Sequence, residues 1–380
     1  MSYYQADEKP LGLVQKVLRF HWAVAILVSA VCGVGFLMLY SVAGGDWDPW
    51  ASRQMVRFAM GMAVMAVVAM VHVKVWRALT PIAYLVGLGL LVAVEVAGVT
   101  GMGAQRWIDV GFMQLQPSEV MKIALVMALA RYYDWLGRDR VSHPLWLIPP
   151  LLLIAVPMLL VLKQPDLGTA LLLAGGGVVV MWLAGVSIWY FIVAGGSAAG
   201  LVWAVFESRG TDWQIIKDYQ FRRIDVFLDP SKDPLGAGYH ITQSKIAFGS
   251  GGVSGRGFMQ GTQARLDFLP ESHTDFIFTA LAEQFGFAGT ATLLGLYGLI
   301  ILFCTISMIS NRNRFGALMT GGLTATFFFF FAVNMAMVMG LAPVVGVPLP
   351  LVSYGGSALL VLLLAFGLIQ SAHVHRPRQG

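Results

Sequence analysis

The sequence predicts an all-α polytopic membrane protein with about ten transmembrane helices and one large extracytoplasmic loop between spans seven and eight. Its 380 residues are 57% hydrophobic and only 12% charged, whereas a soluble domain carries roughly 25% charged residues. The apolar residues also fall in continuous runs of roughly 18 residues or more, the length that crosses a hydrocarbon core. Water could not solvate such a chain as one globule, so both observations favour a membrane protein.

Ten apolar runs define the candidate spans. The first starts at His21 and has no small-residue cleavage pattern, so we expect it to remain as a span rather than to be removed as a signal peptide. The eighth and ninth runs are longer than a perpendicular helix needs, which predicts tilt or extension beyond the bilayer. The ten runs are 21–43, 55–73, 80–99, 118–136, 145–162, 167–185, 187–206, 276–309, 315–341 and 350–371.

The distribution of Lys and Arg predicts which side of the membrane each connection faces. Ten spans place both termini on one side, and the positive-inside rule assigns that side to the cytoplasm. The predicted divisions are a cytoplasmic tail 1–20, spans one to seven within 21–206, the loop 207–275, spans eight to ten within 276–371, and a cytoplasmic tail 372–380. The cations assigned to the inner side are Lys9, Lys16, Arg19, Lys74, Arg77, Arg138, Arg140, Arg312, Arg314, Arg376 and Arg378.

The predicted loop 207–275 differs in composition from the rest of the chain. It contains eight Lys or Arg and nine Asp or Glu residues. Loops longer than roughly 60 residues cross the membrane largely regardless of charge, so its cations do not conflict with the topology. Within it, 239–248 predicts a short helix on the membrane surface. Outside it, the five phenylalanines 327–331 cover every face of a helix, which predicts contact with lipid.

Several classes of protein are excluded or disfavoured. The pI of 9.2 and net charge of +5 arise from the inner connections, not from a basic run interleaved with aromatics, so nucleic acid is not a predicted partner. Cys32 and Cys304 lie in predicted spans and are expected to be packing residues. The seven histidines show no zinc-ligand spacing, so no metal site is predicted. The glycine-rich segment 249–261 lacks both nucleotide-binding spacings, but its backbone could approach a phosphorylated lipid closely.

Charged residues at membrane depth are the first candidates for function, because burying them in hydrocarbon is costly. Glu119 and Lys122 lie three residues apart in the fourth span, so they share a helix face and can pair. A structural ion pair and a functional pair are both consistent with this spacing.

Asp275 directly precedes the eighth span, which leaves two interpretations. Its carboxylate could cap the helix N-terminus. It could instead act as a general base, which requires apolar surroundings such as the neighbouring residues 268–270 and 276–278. The local pattern alone does not choose between the two.

Polar residues from separate segments are predicted at the outer face. Each alone is typical of a solvated interface, but together they resemble one polar site at one membrane surface. They are Arg53, 105–107, 164–166, 219–223, Lys245, Arg256, Arg265 and 271–275.

Six motifs together resemble the SEDS family of shape, elongation, division and sporulation proteins. They occur in the family's order, cover the chain from about residue 53 to its end, and form a specific combination. The QSKIAFGSGG segment and the short tails are more similar to the elongation branch than to the division branch. The motifs are GAQRWIDVG (103–111), QPSEVMKIA (116–124), QPDLGTA (164–170), DPLGAGYHITQSKIAFGSGG (233–252), FLPESHTDFIF (268–278) and PLPLVSYGGS (348–357).

The resemblance implies a peptidoglycan glycosyltransferase of the bacterial cytoplasmic membrane. Such proteins polymerise lipid II, a disaccharide-pentapeptide on undecaprenyl pyrophosphate, beside a class B penicillin-binding protein transpeptidase and other membrane proteins of the elongation complex. The resemblance makes Asp275, in the HTDF motif, the proposed catalytic base. The substrate-binding and structural positions that it implies are Arg53, Arg106 with its neighbour Trp107, Glu119, Lys122, Asp166 and Gln220.

Elementary chemistry agrees with that implication. Forming a β-1,4 link from an α-linked sugar pyrophosphate inverts the anomeric carbon, and a pyrophosphate leaves as a stable anion without a strong acid. One base for the acceptor hydroxyl and cations for the departing charge are sufficient. Arg53, Arg106 and Lys122 are the candidate cations, alone or together with a divalent Mg²⁺ or Mn²⁺.

Two other functions remain open at the level of sequence. A lipid II flippase fits ten helices with buried charges, although it would need a charged path through the midplane rather than charges gathered at one face. A non-catalytic scaffold of the elongation complex would tolerate the loss of Asp275.

Overall fold

The computed structural model describes residues 11–101, 104–109, 111, 114–216, 218–233, 236–262, 273–344 and 346–377. In this part of the chain, helices predominate and three short strands lie between the fourth and fifth of them. The helices are α1 (Leu13–Leu18), α2 (Trp22–Val42), α3 (Ala51–Met70), α4 (Val73–Ala97), α5 (Pro117–Trp135), α6 (Pro144–Lys163), α7 (Leu167–Ala184), α8 (Ile188–Glu207), α9 (Asp218–Leu228), α10 (Ala237–Gly251), α11 (Ile277–Ile309), α12 (Arg314–Val338) and α13 (Gly356–Val374). The strands are β1 (Val99–Gly101), β2 (Ala104–Asp109) and β3 (Gln114–Leu115).

Ten of the described helices are long enough to cross a membrane. Nine of them are also strongly apolar, with 18 residues or more. The tenth, α5, has 19 residues but carries four charged side chains and is largely buried by its neighbours. Helices that other helices surround can carry charge that lipid-facing helices cannot. The predicted all-α membrane fold with about ten spans is therefore confirmed.

The centre of the bundle is formed by α13, which packs along α3. Gly61 of α3 faces Leu363 so closely that an added Cβ would lie 2.3 Å from its Cδ1 atom. Gly367 of α13 likewise faces Val68 and Met65. Small residues at such crossings let two helix backbones approach closely, which stabilises packing in membranes. By contrast, α8 has no buried residue.

The unusual length of the eighth predicted span has a different cause from the tilt or extension that we expected. Helix α11 has 33 residues, but Gly286 interrupts it with φ +63° and ψ −157°. This backbone conformation is essentially restricted to glycine. The chain therefore forms a short buried helical segment before Gly286 and a membrane-length helix after it.

A small antiparallel sheet connects α4 to α5, and the sequence analysis did not predict it. Its order is β1-β2-β3, with Val99 opposite Trp107 and Ile108 opposite Leu115. The sheet holds the backbone of Arg106 in an extended strand rather than in a loose loop, so the position of this candidate residue is fixed.

Two local predictions need correction. The run 327–331 does not face lipid on every side, because Phe327 is buried against Tyr297 and Phe366, while Phe328 is 43% exposed. The predicted helix at 239–248 is present as part of α10, but it does not simply lie on a surface. Its Ser244 is fully buried, and the hydroxyl donates to the carbonyl of Val338.

Candidate active site

Polar contacts join the starts of several helices at one end of the bundle. Gln54, in the first turn of α3, donates to the carbonyl of Ser353, which precedes α13 (3.0 Å). The Ser353 hydroxyl donates to the carbonyl of Thr274, which precedes α11 (2.6 Å). The amide of Gln116, which precedes α5, donates to the Ser357 hydroxyl of α13 (3.1 Å). Helix N-termini carry partial positive charge, so their convergence favours an anionic group at this end.

Asp275 lies in the turn that leads into α11 and is held by its backbone. Asn334 of α12 donates from Nδ2 to the carbonyls of both Asp275 (2.9 Å) and Val347 (2.7 Å). The carboxylate faces Gly346, where a Cβ would lie 3.8 Å from Asp275 Oδ2. Phe276, not Asp275, is the N-cap residue of α11, and its own side chain makes no capping hydrogen bond. Asp275 thus lies one residue before the N-cap position, and the choice between a capping and a catalytic carboxylate stays a prediction.

Aromatic and basic side chains at the start of α3 and before α13 lie beside this turn. Trp50 stacks on His273 with a centroid distance of 4.3 Å and an interplanar angle of 9°. The guanidinium of Arg57 lies over the ring of Tyr354, 4.9 Å from its centroid, and the amide of Tyr354 donates to the carbonyl of His273. Arg53 lies one turn before Arg57 and its side chain is exposed. The structure thus places the predicted Arg53 on the helix that supports the Asp275 turn.

Arg106 and Asp166 meet at the start of α7. Arg106 donates from Nε to the carbonyl of Gln164 (3.0 Å), and its Nη1 lies 3.8 Å from Asp166 Oδ2. Asp166 is the N-cap of α7 and accepts from the amide and the hydroxyl of Thr169. The side chain of Gln116 also lies 3.5 Å from Asp166 Oδ2. Asp166 therefore orients Arg106 and joins α7 to the same end of the bundle.

Glu119 and Lys122 form the predicted ion pair on α5. Lys122 Nζ lies 2.8 Å from Glu119 Oε1 and 3.6 Å from the centroid of Phe330, and Lys122 is only 4% exposed. The pair lines an apolar cleft that also borders residues 348–351 and Ser353. Because Ser353 bonds to the Asp275 turn, this cleft lies next to the turn. The arrangement thus combines an end of the bundle that favours an anion with an apolar space beside it.

The remaining predicted residues are placed less closely. Trp107 follows Arg106 in β2 and is partly buried. Gln220 belongs to α9, but its side chain lies outside the described part of the structure, as do residues 263–272 with Arg265. Lys245 is exposed on α10.

The glycine-rich segment closes over the break in α11. A Cβ on Gly251 would lie 2.1 Å from the carbonyl oxygen of Ala282, and one on Gly255 would lie 2.1 Å from that of Gln284. A Cβ on Gly286 would in turn lie 2.4 Å from the amide of Gly255. The backbone of the glycine-rich segment therefore approaches the backbone of α11 closely. The segment supports α11 rather than forming an open phosphate cradle.

The sequence analysis missed Glu283, a carboxylate inside the eighth predicted span. Glu283 is fully buried, accepts from the amide and the hydroxyl of Thr262 (both 2.8 Å), and lies 3.6 Å from Arg256 Nη1. A carboxylate within an apolar run was the available signal, because such residues are rarely placed there without a partner. Gln54 and Asn334 were missed for the same reason, as polar residues in apolar helices.

No group of three or more His, Cys, Asp or Glu side chains is placed to hold a metal ion among the residues that the structure describes. Asp166 is engaged by Thr169 and Glu119 is engaged by Lys122. The carboxylates of Asp166 and Glu119 are thus bound to protein donors.

Comparison with known proteins identifies the family. Residues 21–378 match the sequence profile of FtsW, RodA and SpoVE, described as "Cell cycle protein". The chain belongs to this family. The match covers all ten long helices and the candidate site, so the SEDS resemblance carried by the six motifs is confirmed.

Relatives within the SEDS family agree in sequence and in fold. The Escherichia coli K12 protein named "Peptidoglycan glycosyltransferase MrdB" is 44% identical over 359 residues, which is 92% of each chain. A chain in a solved structure described as a peptidoglycan synthase complex that coordinates polymerization and crosslinking matches with a TM-score of 0.79 and 30% identity, covering 93% of this chain and 97% of that one. The crystal structure of the rod shape determining protein RodA of Thermus thermophilus matches with a TM-score of 0.71 and 28% identity, covering 95% and 98%.

Proposed function

We propose that this SEDS protein is a peptidoglycan glycosyltransferase that polymerises lipid II into glycan strands during cell elongation, with Asp275 as its general base. The observation that carries the proposal is the fixed position of the Asp275 turn. Residues Asn334 and Ser353 hold that turn by its backbone, at the end of the bundle where helix starts and cations converge. The names of the relatives support the activity, and the geometry of the site supports the role proposed for each residue.

In this mechanism Asp275 accepts the proton of the acceptor sugar hydroxyl as that oxygen attacks the anomeric carbon. The bond from that carbon to the pyrophosphate oxygen breaks with inversion, and the lipid pyrophosphate leaves as an anion. Arg53 and Arg106, with the N-termini of α3, α5, α7, α11 and α13, stabilise the developing negative charge. The apolar cleft beside Lys122 offers space for part of the lipid chain. A divalent cation would be held mainly by the substrate's own phosphates, since the described side chains offer no ready ligand set.

The proposal extends to topology and partners. Because most Lys and Arg residues of the short connections lie at the opposite end from Asp275, the positive-inside rule supports a cytoplasmic position for both termini and an outer position for the site. A class B penicillin-binding protein is the proposed partner, which would crosslink the strands that this chain makes, within a larger elongation complex. The synthase complex that contains a similar chain supports this assignment.

The decisive experiment uses the purified protein with its transpeptidase partner and lipid II in detergent, with glycan polymer followed on a gel. Asp275→Asn should reduce polymerisation about 100-fold or more, since it removes the base but keeps the shape. Asp225→Asn, which changes an aspartate paired with Arg209 outside the long helices, should polymerise like the wild type. Detergent removes any need for flipping. Polymer from Asp275→Asn at the wild-type rate would reject the base assignment, and no polymer from the wild type would favour a flippase or a scaffold.

A further inference from the structure

A basic pocket lies at the end of the bundle opposite Asp275. It lies between α4, α5 and the start of α12, and is lined by Lys74, Arg77, Arg131 and Trp135 among others. Arg77 pairs with Asp134 at 2.7 Å. Three cations and one carboxylate leave a net charge of +2 around this pocket, so it favours an anion.

The geometry of α4 fixes one of these cations at the pocket wall. Pro81 lies inside α4 and has no N–H group, so the carbonyl of Arg77 lacks its helical donor. Arg131 of α5 fills that role, donating from Nη1 to the carbonyls of Arg77 (2.7 Å) and Ala78 (3.2 Å). A guanidinium has five N–H groups, and these two bonds use Nη1 alone. Arg131 is thereby oriented with its remaining edge available to a ligand in the pocket.

An apolar groove continues from the basic pocket between α4, α5 and α6. It shares Arg131 and Trp135 with the pocket. The hydroxyls that line it are occupied by protein carbonyls. Thr80 donates to Trp76 and Tyr84 donates to Leu153, both at 2.9 Å. The groove therefore presents carbon surface to whatever fills it.

We propose that this composite site binds an anionic phospholipid, with its phosphate in the basic pocket and one acyl chain in the groove. A charged pocket that opens directly into an apolar groove matches a molecule with an anionic headgroup and an apolar chain. Neither the pocket alone nor the groove alone would point to such a lipid. Basic pockets between transmembrane helices are a common way to hold anionic headgroups. Trp135, 64% exposed at the junction, suits the boundary between headgroup and chain. The proposal concerns the end away from Asp275 and does not depend on the polymerase assignment.

The test measures binding of phosphatidylglycerol to the purified full chain, by native mass spectrometry and by the shift in Tm on adding lipid to detergent. Phosphatidylglycerol should raise Tm and remain bound, whereas phosphatidylethanolamine and inorganic phosphate should do so much less. Lys74→Gln should weaken phosphatidylglycerol binding about fivefold, the effect of one cation near a lipid phosphate. Ala128→Phe should fill the groove and lower lipid retention while leaving the pocket charge unchanged.

Arg19→Gln is the matched control, since it removes one cation at the same end of the bundle but lines a different pocket. It should bind phosphatidylglycerol like the wild type. If Lys74→Gln and Arg19→Gln weaken phosphatidylglycerol binding equally, the binding depends on overall charge and not on this pocket, and the proposal is overturned. Equal stabilisation by inorganic phosphate would assign the pocket to a soluble anion, and equal binding of phosphatidylethanolamine would reject recognition of the headgroup charge.

Discussion

Asn334 donates a 2.9 Å hydrogen bond to the backbone carbonyl of Asp275, although 59 residues separate them along the chain. The second hydrogen of the same amide nitrogen goes to the carbonyl of Val347, and Asn334 is fully buried. One side chain thus ties the candidate base to the segment that leads into α13. We interpret Asn334 as a positioning residue, because it acts on the backbone of Asp275 and not on substrate.

Replacing Asn334 by Ala should reduce the polymerisation rate by more than its loss of stability explains. The substitution leaves the carbonyls of Asp275 and Val347 without their donor, at a cost of about 1–3 kcal/mol in the free energy of unfolding. A shift of the turn by an ångström should reduce kcat about 100-fold while KM for lipid II changes little. Polymerisation kinetics and thermal unfolding measure the two effects separately.

Asn311→Ala provides the matched comparison. Asn311 is also buried and donates to the carbonyl of Ala372 at 3.0 Å, but it lies at the other end of the bundle. It should lose similar stability and keep its kcat. If both variants lose activity in proportion to stability, Asn334 has no positioning role.

The Glu119–Lys122 pair should be far more sensitive to single substitutions than an exposed pair. Glu119→Gln leaves a buried ammonium without its counter-charge, which typically costs about 3–5 kcal/mol. The double variant Glu119→Leu with Lys122→Met should recover most of that stability. Asp225→Asn, which breaks the exposed pair with Arg209, should barely change Tm.

The same double variant separates the two roles that the sequence left open. A purely structural pair predicts that the double variant polymerises lipid II nearly as well as the wild type. A substrate-binding Lys122 predicts that activity stays low although stability returns. Polymerisation by the refolded or stable double variant is the measurement that distinguishes them.

The sequence predicted the helices better than the contacts between them, and particular residues show why. Hydropathy reports the length of an apolar run, so all ten spans were found, but it contains no information about φ, and the break at Gly286 was invisible. Five consecutive phenylalanines give every helix face the same composition, so the pattern at 327–331 could not show that Phe327 is buried.

The site was predicted as a set of residues and not as a set of pairs. Arg106 and Asp166 were both assigned to one polar face, yet their 3.8 Å approach depends on how β2 meets the start of α7. That meeting is a tertiary contact across 60 positions, which no local pattern encodes. Asn334 lay within a predicted apolar run and Gln54 directly before one, so their partners could be named only after the helices were packed.

The contact between the glycine-rich segment and α11 predicts opposite outcomes for two glycine substitutions. Gly286→Ala should destabilise the protein by about 3 kcal/mol or more, because it combines a strained backbone conformation with a contact of 2.4 Å to the amide of Gly255. Gly249→Ala, in helical backbone of α10 with nothing within 4 Å of the new Cβ, should be neutral or stabilise by about 0.5–1 kcal/mol. Thermal unfolding in detergent measures both, and equal losses would reject the scaffold role of this contact.

A buried histidine at the end away from Asp275 predicts that stability falls in mild acid. Burial lowers the pKa of His375 to about 4, and the charges of Lys16 and Arg19 act in the same direction against the hydrogen bond to the Ser371 carbonyl. In the unfolded chain His375 takes up a proton near pH 6.5, whereas in the folded chain it does so only near pH 4. The free energy of unfolding is therefore highest above about pH 6.5 and declines as pH falls toward 4.

For His375 the loss should reach at most about 2 kcal/mol at pH 5. His375→Gln removes that titration, so the fall in Tm between pH 7.5 and pH 5 should be smaller than in the wild type. His143→Gln, at an exposed position before α6, should keep the wild-type response. The prediction fails if the wild-type Tm is constant between pH 7.5 and pH 5, or if His375→Gln shows the same fall in Tm as the wild type. Either result would show that the folded chain accommodates a charged His375, stabilised by the Ser371 carbonyl or by water.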